Sequence, residues 1–205
     1  MDIYEKAKSE LNFYTKLLCK LKYSHLNEKD CQISYIPSIK SGDWWFALQS
    51  GLMAQFKMQE KNISEKKVIR KNSKNYLKIY KLNNIVKRID KINNGKIDVV
   101  YMTYFEKDTI IYKPFSSDGG FYPTYSCITE FIDDEVSCEY MIEGEQIVLE
   151  IYEKEKKNKW NYTNLNYVPS GEYPVLGLEK GVFKINKKIT YVTTYSEYWY
   201  EKLKE

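Results

Sequence analysis

The chain has 205 residues, 43% hydrophobic and 16% aromatic, with 32 basic against 28 acidic side chains and a net charge of +4. That is enough apolar material for one full core and excludes a largely disordered chain. Nine glycines and five prolines exclude a linker-rich one. Four cysteines, Cys19, Cys31, Cys127 and Cys138, stand far apart without a CxxC pair. They read as reduced core residues, not as a disulfide framework or a zinc site.

No stretch reaches the roughly eighteen apolar residues of a spanning helix. Met1–Lys20 is interrupted by Glu5, Lys6, Lys8, Glu10 and Lys16, and so does not read as a secretory leader. A cytoplasmic protein without membrane contact is expected. Lys, Asn, Ile and Tyr, which have AT-rich codons, are heavily used, and 20 tyrosines therefore point to a low-GC bacterium or phage before they point to a stacking surface.

Ile3, Tyr4, Ala7, Leu11, Tyr14, Leu17, Leu18 and Leu21 recur at three and four residues and predict an amphipathic first helix, with Asp2 as its cap and Glu5 completing a capping box. A turn-rich link from Ser24 to Gly42 follows. Ser41-Gly42-Asp43 then reads as the start of a buried helix carrying Trp44, Trp45, Phe46, Leu48, Leu52, Met53 and Phe56. The tryptophan pair reads as core more readily than as a ligand platform.

From Lys57 to Lys91 twelve Lys/Arg face three acids, a net charge of +9. Ile79, Leu82, Ile85, Val86, Ile89 and Ile92 keep helical spacing within this run and predict a helix from Tyr76 to Ile92, after which Asn93-Asn94-Gly95 is a helix stop or a turn. Ser64–Asn75 is open between a helix and a short hairpin.

After Gly95, Val-, Ile-, Tyr- and Thr-rich runs alternate with turn signals. Strands are predicted over Lys96–Phe105, Thr109–Lys113, Thr124–Ile132, Val136–Ile142, Glu145–Glu153, Tyr173–Ile185 and Ile189–Tyr200. Short turns between them favour an antiparallel meander. The expected fold is α+β: an N-terminal helical layer (residues 1–95, basic) packed on a C-terminal antiparallel β-sheet (96–205) that curls around or lies against it, within one compact domain.

Catalytic constellations are sparse. His25 is the single histidine, no Gly-x-Ser-x-Gly elbow occurs, and neither standard phosphate-binding glycine loop is present. No cofactor is implied. Glu130, Asp133, Asp134, Glu135, Glu139, Glu143 and Glu145 form a run without a base; with Asp98, Glu150 and Glu153 they are the acids a two-metal nuclease would draw on. Turn acids on a solvated edge are the plainer account.

The segregated charge is more informative. Lys66, Lys67, Arg70, Lys71, Lys74, Lys78, Lys87, Arg88 and Lys91 are the candidate partner-binding residues. Such a run can dock on an acidic protein surface or on nucleic acid, where cations gain affinity by counterion release. Two arginines among twelve cations argue against base-specific reading. The leading expectation is a non-catalytic macromolecule-binding protein of inhibitor, immunity or counter-defence type. A nucleic-acid-binding protein and a metal-dependent nuclease are the alternatives. On the last strand Tyr191 and Tyr195 share one face and Tyr198 and Tyr200 the opposite one, with Trp199 between them; a buried sheet face is expected ahead of an exposed surface for protein recognition.

Overall fold

The computed structural model describes residues 2–37, 47–170 and 174–198. The Trp44–Trp45 pair, Trp199 and Tyr200 lie outside them. Helix α1 spans Ile3–Lys20 and is capped by Asp2, whose side chain accepts from the Tyr4 amide. Strand β1 (Gln32–Pro37) and helix α2 (Leu52–Glu60) follow, then ten consecutive strands. These are β2 (Tyr76–Leu82), β3 (Ile85–Asn93), β4 (Lys96–Glu106), β5 (Thr109–Phe115), β6 (Ser126–Ile132), β7 (Glu135–Glu143), β8 (Gln146–Lys156), β9 (Lys159–Tyr167), β10 (Val175–Ile185) and β11 (Ile189–Tyr198). All eleven form one sheet in sequence order, with every neighbour antiparallel.

The protein is thus mostly β. The antiparallel meander is as expected, and both helices lie in the N-terminal part as expected, but that part also contributes β1, β2 and β3 to the sheet, so the α+β division holds only in part. The helix expected over Tyr76–Ile92 is instead a hairpin. Asn83 and Asn84 both have positive φ (52° and 63°), the conformation a two-residue hairpin turn demands and one that asparagine tolerates. Helical spacing misleads here because these strands are buried on both faces: Leu77, Ile79 and Ile89 on one, Tyr80, Arg88 and Asp90 on the other. Apolar residues then cease to alternate. Strand β9 is not among the expected strands, since Asn161, Asn164 and Asn166 depress its apparent β-propensity. The buried helix expected from Asp43 begins only at Leu52 among the described residues.

Each face of the sheet is covered differently. On one, α1 sets Ala7, Leu11, Tyr14 and Leu18 against Ile111, Ile128, Tyr140, Ile147, Leu149 and Leu165. Burying a leucine of this kind stabilises by about 1.5–3 kcal/mol. Lys113 of β5 donates to the carbonyls of Leu18 and Leu21 (2.6 and 2.7 Å), placing a cation at the negative end of α1. On the other face Leu48 packs among Ile36, Leu77, Ile79, Val99 and Tyr101, while Met53 of α2 meets Tyr152, Tyr162 and Phe183.

The sheet stays open, and its two free edges are held by one connection. Gln59 of α2 donates to the carbonyl of Ile189 and accepts from its amide (both 3.0 Å), engaging the outer edge of β11. Seven residues on, Lys66 exchanges two backbone hydrogen bonds with Tyr35 (2.8 and 2.7 Å) on the outer edge of β1. Seven residues reach at most about 25 Å, whereas eleven flat strands would spread over about 48 Å. The sheet is therefore curled towards α2. No helix among the described residues is long and apolar enough to cross a membrane.

Candidate functional site

The nine cations singled out by sequence separate into two groups. Lys78 pairs with Glu28 (3.3 Å), Lys91 with Asp98 (3.0 Å), and Lys87 lies over the Phe105 ring. Arg88 is buried and donates through Nε and a terminal nitrogen to Asp90 (2.6 and 2.9 Å), which also accepts from the Tyr80 hydroxyl (3.0 Å). These four are engaged by neighbouring side chains.

Lys66, Lys67, Arg70, Lys71 and Lys74 are exposed and have no ion pair among the described residues. All five lie on the connection from α2 to β2, neither helix nor extended hairpin, and the fold pins it. The Lys66–Tyr35 bridge holds one end, a turn from Arg70 to Ser73 shapes the middle (2.9 Å), and the β3–β4 turn holds the other. There the Gly95 amide donates to the Lys74 carbonyl and the Asn94 amide to the Asn75 side chain, both at 2.8 Å. Val68 stands among these cations at 81% exposed. Glu65, the acid of this stretch, is taken by Lys81 (2.6 Å).

The acidic run is dispersed. Glu130 accepts from the hydroxyls of Tyr14 and Tyr140, and Glu135 pairs with Lys154. Asp133 and Asp134 form a turn with positive φ. Among the described residues no three His, Cys, Asp or Glu side chains are placed to hold a metal ion.

Two acids are buried side by side, which sequence alone did not signal. Glu139 (0% exposed) and Glu150 (2% exposed) are direct cross-strand partners on β7 and β8, facing α2. They belong to a polar row across six strands, Thr129, Glu139, Glu150, Asn164, Glu179 and Ser196, each opposite the next. Glu139 Oε1 accepts from the Ser50 amide (2.6 Å) and the Thr129 hydroxyl (2.9 Å), so a sheet residue caps the approach to α2. The Tyr152 hydroxyl lies between the two carboxyls, 3.5 Å from Glu139 Oε2 and hydrogen-bonded to Glu150 Oε2.

Burial, reinforced by the charge of Glu150, pushes the Glu139 carboxyl well above the usual carboxylate range; burial likewise raises Glu150. A proton on Glu139 Oε2 can be donated to the Tyr152 oxygen while Tyr152 donates to Glu150. One proton then serves both acids. Both carboxyls are buried, and the neighbouring recess of about 320 Å³ is walled by Ser50, Leu52, Phe131, Val136 and Trp160. The arrangement binds the start of α2 to the sheet. A larger apolar cleft of about 550 Å³ lies between Leu18, Pro114, Tyr122 and Ile142.

Fold and surface together define an open antiparallel meander that carries a pinned cationic loop at its edge. No protein-family model, curated protein or solved structure matches the chain.

Proposed function

We propose that the protein is a non-catalytic binding protein, of inhibitor or immunity type, that docks on an acidic protein surface through the connection spanning residues 64–75. The observation that carries this reading is the group of five cations, without an ion pair among the described residues, around exposed Val68 on a segment already fixed at both ends. An apolar anchor ringed by charge suits a protein partner, where the anchor supplies affinity and the charges supply association rate and selectivity. Fixing the loop in advance lowers the ordering cost of binding. Glu130, Glu135, Glu139 and Glu150 are each engaged by a tyrosine hydroxyl, a lysine or a backbone amide, which supports a structural role for these four acids.

The test is affinity capture from the native host with the wild-type chain and with a Lys66→Glu/Lys67→Glu/Lys71→Glu variant. A partner retained by the wild type, eluted by moderate salt and lost from the variant is the expected result. Equal recovery by both proteins, or turnover of a small substrate by the wild type, would refute the reading.

A further inference from the structure

A second cationic surface lies away from the 64–75 connection. The β8–β9 and β10–β11 hairpins turn at the same end of the sheet, and their tips are joined. The Ile185 amide donates to the Asn158 carbonyl (2.9 Å), and the Asn158 side chain donates to that of Asn186 (3.3 Å). At this end Lys156, Lys159 and Lys184 are direct cross-strand partners on three adjacent strands. Lys157, Lys187 and Lys188 occupy the turns themselves.

Like charges placed directly opposite one another are destabilising, with Cβ atoms only about 4.5–5.5 Å apart. Glu155 offsets the repulsion only at Lys159, the middle member of the three. Glu155 is engaged by Lys159 (2.6 Å), and Lys154 is drawn aside to Glu135 and the Trp160 ring. Lys156, Lys157, Lys184, Lys187 and Lys188 are exposed and have no ion pair among the described residues. The acidic Asp133-Asp134 turn bounds the patch on the β7 side, leaving it open towards β11.

We propose that the joined tips of the β8–β9 and β10–β11 hairpins are a contact site for the phosphate backbone of duplex nucleic acid. Lysine is a compact point charge that neutralises phosphates without reading bases. The tips contain no arginine for bidentate base contacts and, unlike the 64–75 connection, no exposed apolar residue to anchor a protein. Lysine is depleted in the cores of protein–protein interfaces. The one ring beside the tips, that of half-buried Trp160, is covered by Lys154 and not presented for stacking of unpaired bases, which favours a duplex over a single strand.

The experiment measures fluorescence anisotropy of a labelled random-sequence duplex of about 20 base pairs between about 50 and about 200 mM NaCl. It compares the full chain, a tip variant (Lys156→Gln/Lys184→Gln/Lys187→Gln) and a loop variant with the same charge change (Lys66→Gln/Lys67→Gln/Lys71→Gln). The tip variant should bind more weakly, with its log–log salt slope reduced by about 0.9 for each phosphate that is no longer neutralised. The loop variant should keep the wild-type slope, and a Lys→Arg tip variant should retain binding. Absence of duplex binding at low salt, or equal losses in both Gln variants, overturns the proposal. So does tighter binding of a labelled poly-glutamate peptide than of the duplex, abolished in the tip variant, since that would assign the surface to an acidic protein. Failure here leaves the 64–75 reading standing, because the two surfaces share no residue.

Discussion

Gly51, at the head of α2, passes so close to Glu139 of β7 that a Cβ at position 51 would lie 2.5 Å from the Tyr152 hydroxyl and closer still to Glu139 Oε2. Its φ of −68° is open to any residue, so the demand for glycine here is one of space alone. Gly51→Ala should push α2 off the sheet and cost about 1–3 kcal/mol, as overpacking of a filled interior does. Urea denaturation would read this, and an unchanged midpoint would mean that the approach of α2 to β7 is looser than described.

The buried Glu139–Glu150 pair makes stability depend on pH. The folded state retains a carboxyl proton that the unfolded chain releases near the ordinary glutamate value, so the contribution of this pair is largest at acidic pH. That contribution should fall as pH rises from about 4.5 to about 8, by up to about 1.4 kcal/mol per pH unit for one retained proton. Glu139→Gln keeps an acceptor for Ser50 and removes the titration. Its Tm should approach that of the wild type near pH 5 and exceed it near pH 8. Parallel Tm–pH curves for the two proteins would contradict the shared-proton arrangement.

Gln59 imitates a strand residue with a single amide group, satisfying both backbone groups of Ile189 at the free edge of β11. Water can replace both bonds in Gln59→Ala, so the global cost should be modest, about 0.5–1.5 kcal/mol. Hydrogen exchange should show the larger effect, with faster exchange at the start of β11 and little change in β6 to β8. Uniform acceleration throughout the sheet would argue against a local clasp.

Asp90 is wholly buried between Arg88 and Tyr80. Removing its charge strands the guanidinium, for which Glu28 at 3.8 Å is a distant substitute. Asp90→Asn should cost about 3 kcal/mol or more, and adding Arg88→Met should recover much of that by removing the unpaired charge. Additive losses in the double variant would show that the two residues act independently.

The candidate surfaces were legible to unequal degrees. The run from Lys57 to Lys91 is visible as composition, but composition cannot show that Arg88 folds onto Asp90 while Lys66 to Lys74 stay on an exposed loop. The tip surface is split over two hairpins about 30 positions apart. Lys156, Lys159 and Lys184 become neighbours only when β8, β9 and β10 pair.

Local features could be read from the order of residues without any knowledge of packing. The span of α1 and its Asp2 cap follow from apolar spacing and an N-terminal acceptor; the turns at Asn94-Gly95 and Asp133-Asp134 follow from residues that accept positive φ. Seven of the eleven strands were readable for the same reason, since turn chemistry and β-propensity act over a few residues. Long-range pairing settled the rest: that Tyr76–Ile92 is a hairpin buried on both faces, that Glu139 meets Glu150, and that one connection holds both edges of the sheet. Those outcomes depend on strand register and on what each face is packed against. Both are set by the free energy of the whole sheet, beyond the reach of any single window of sequence.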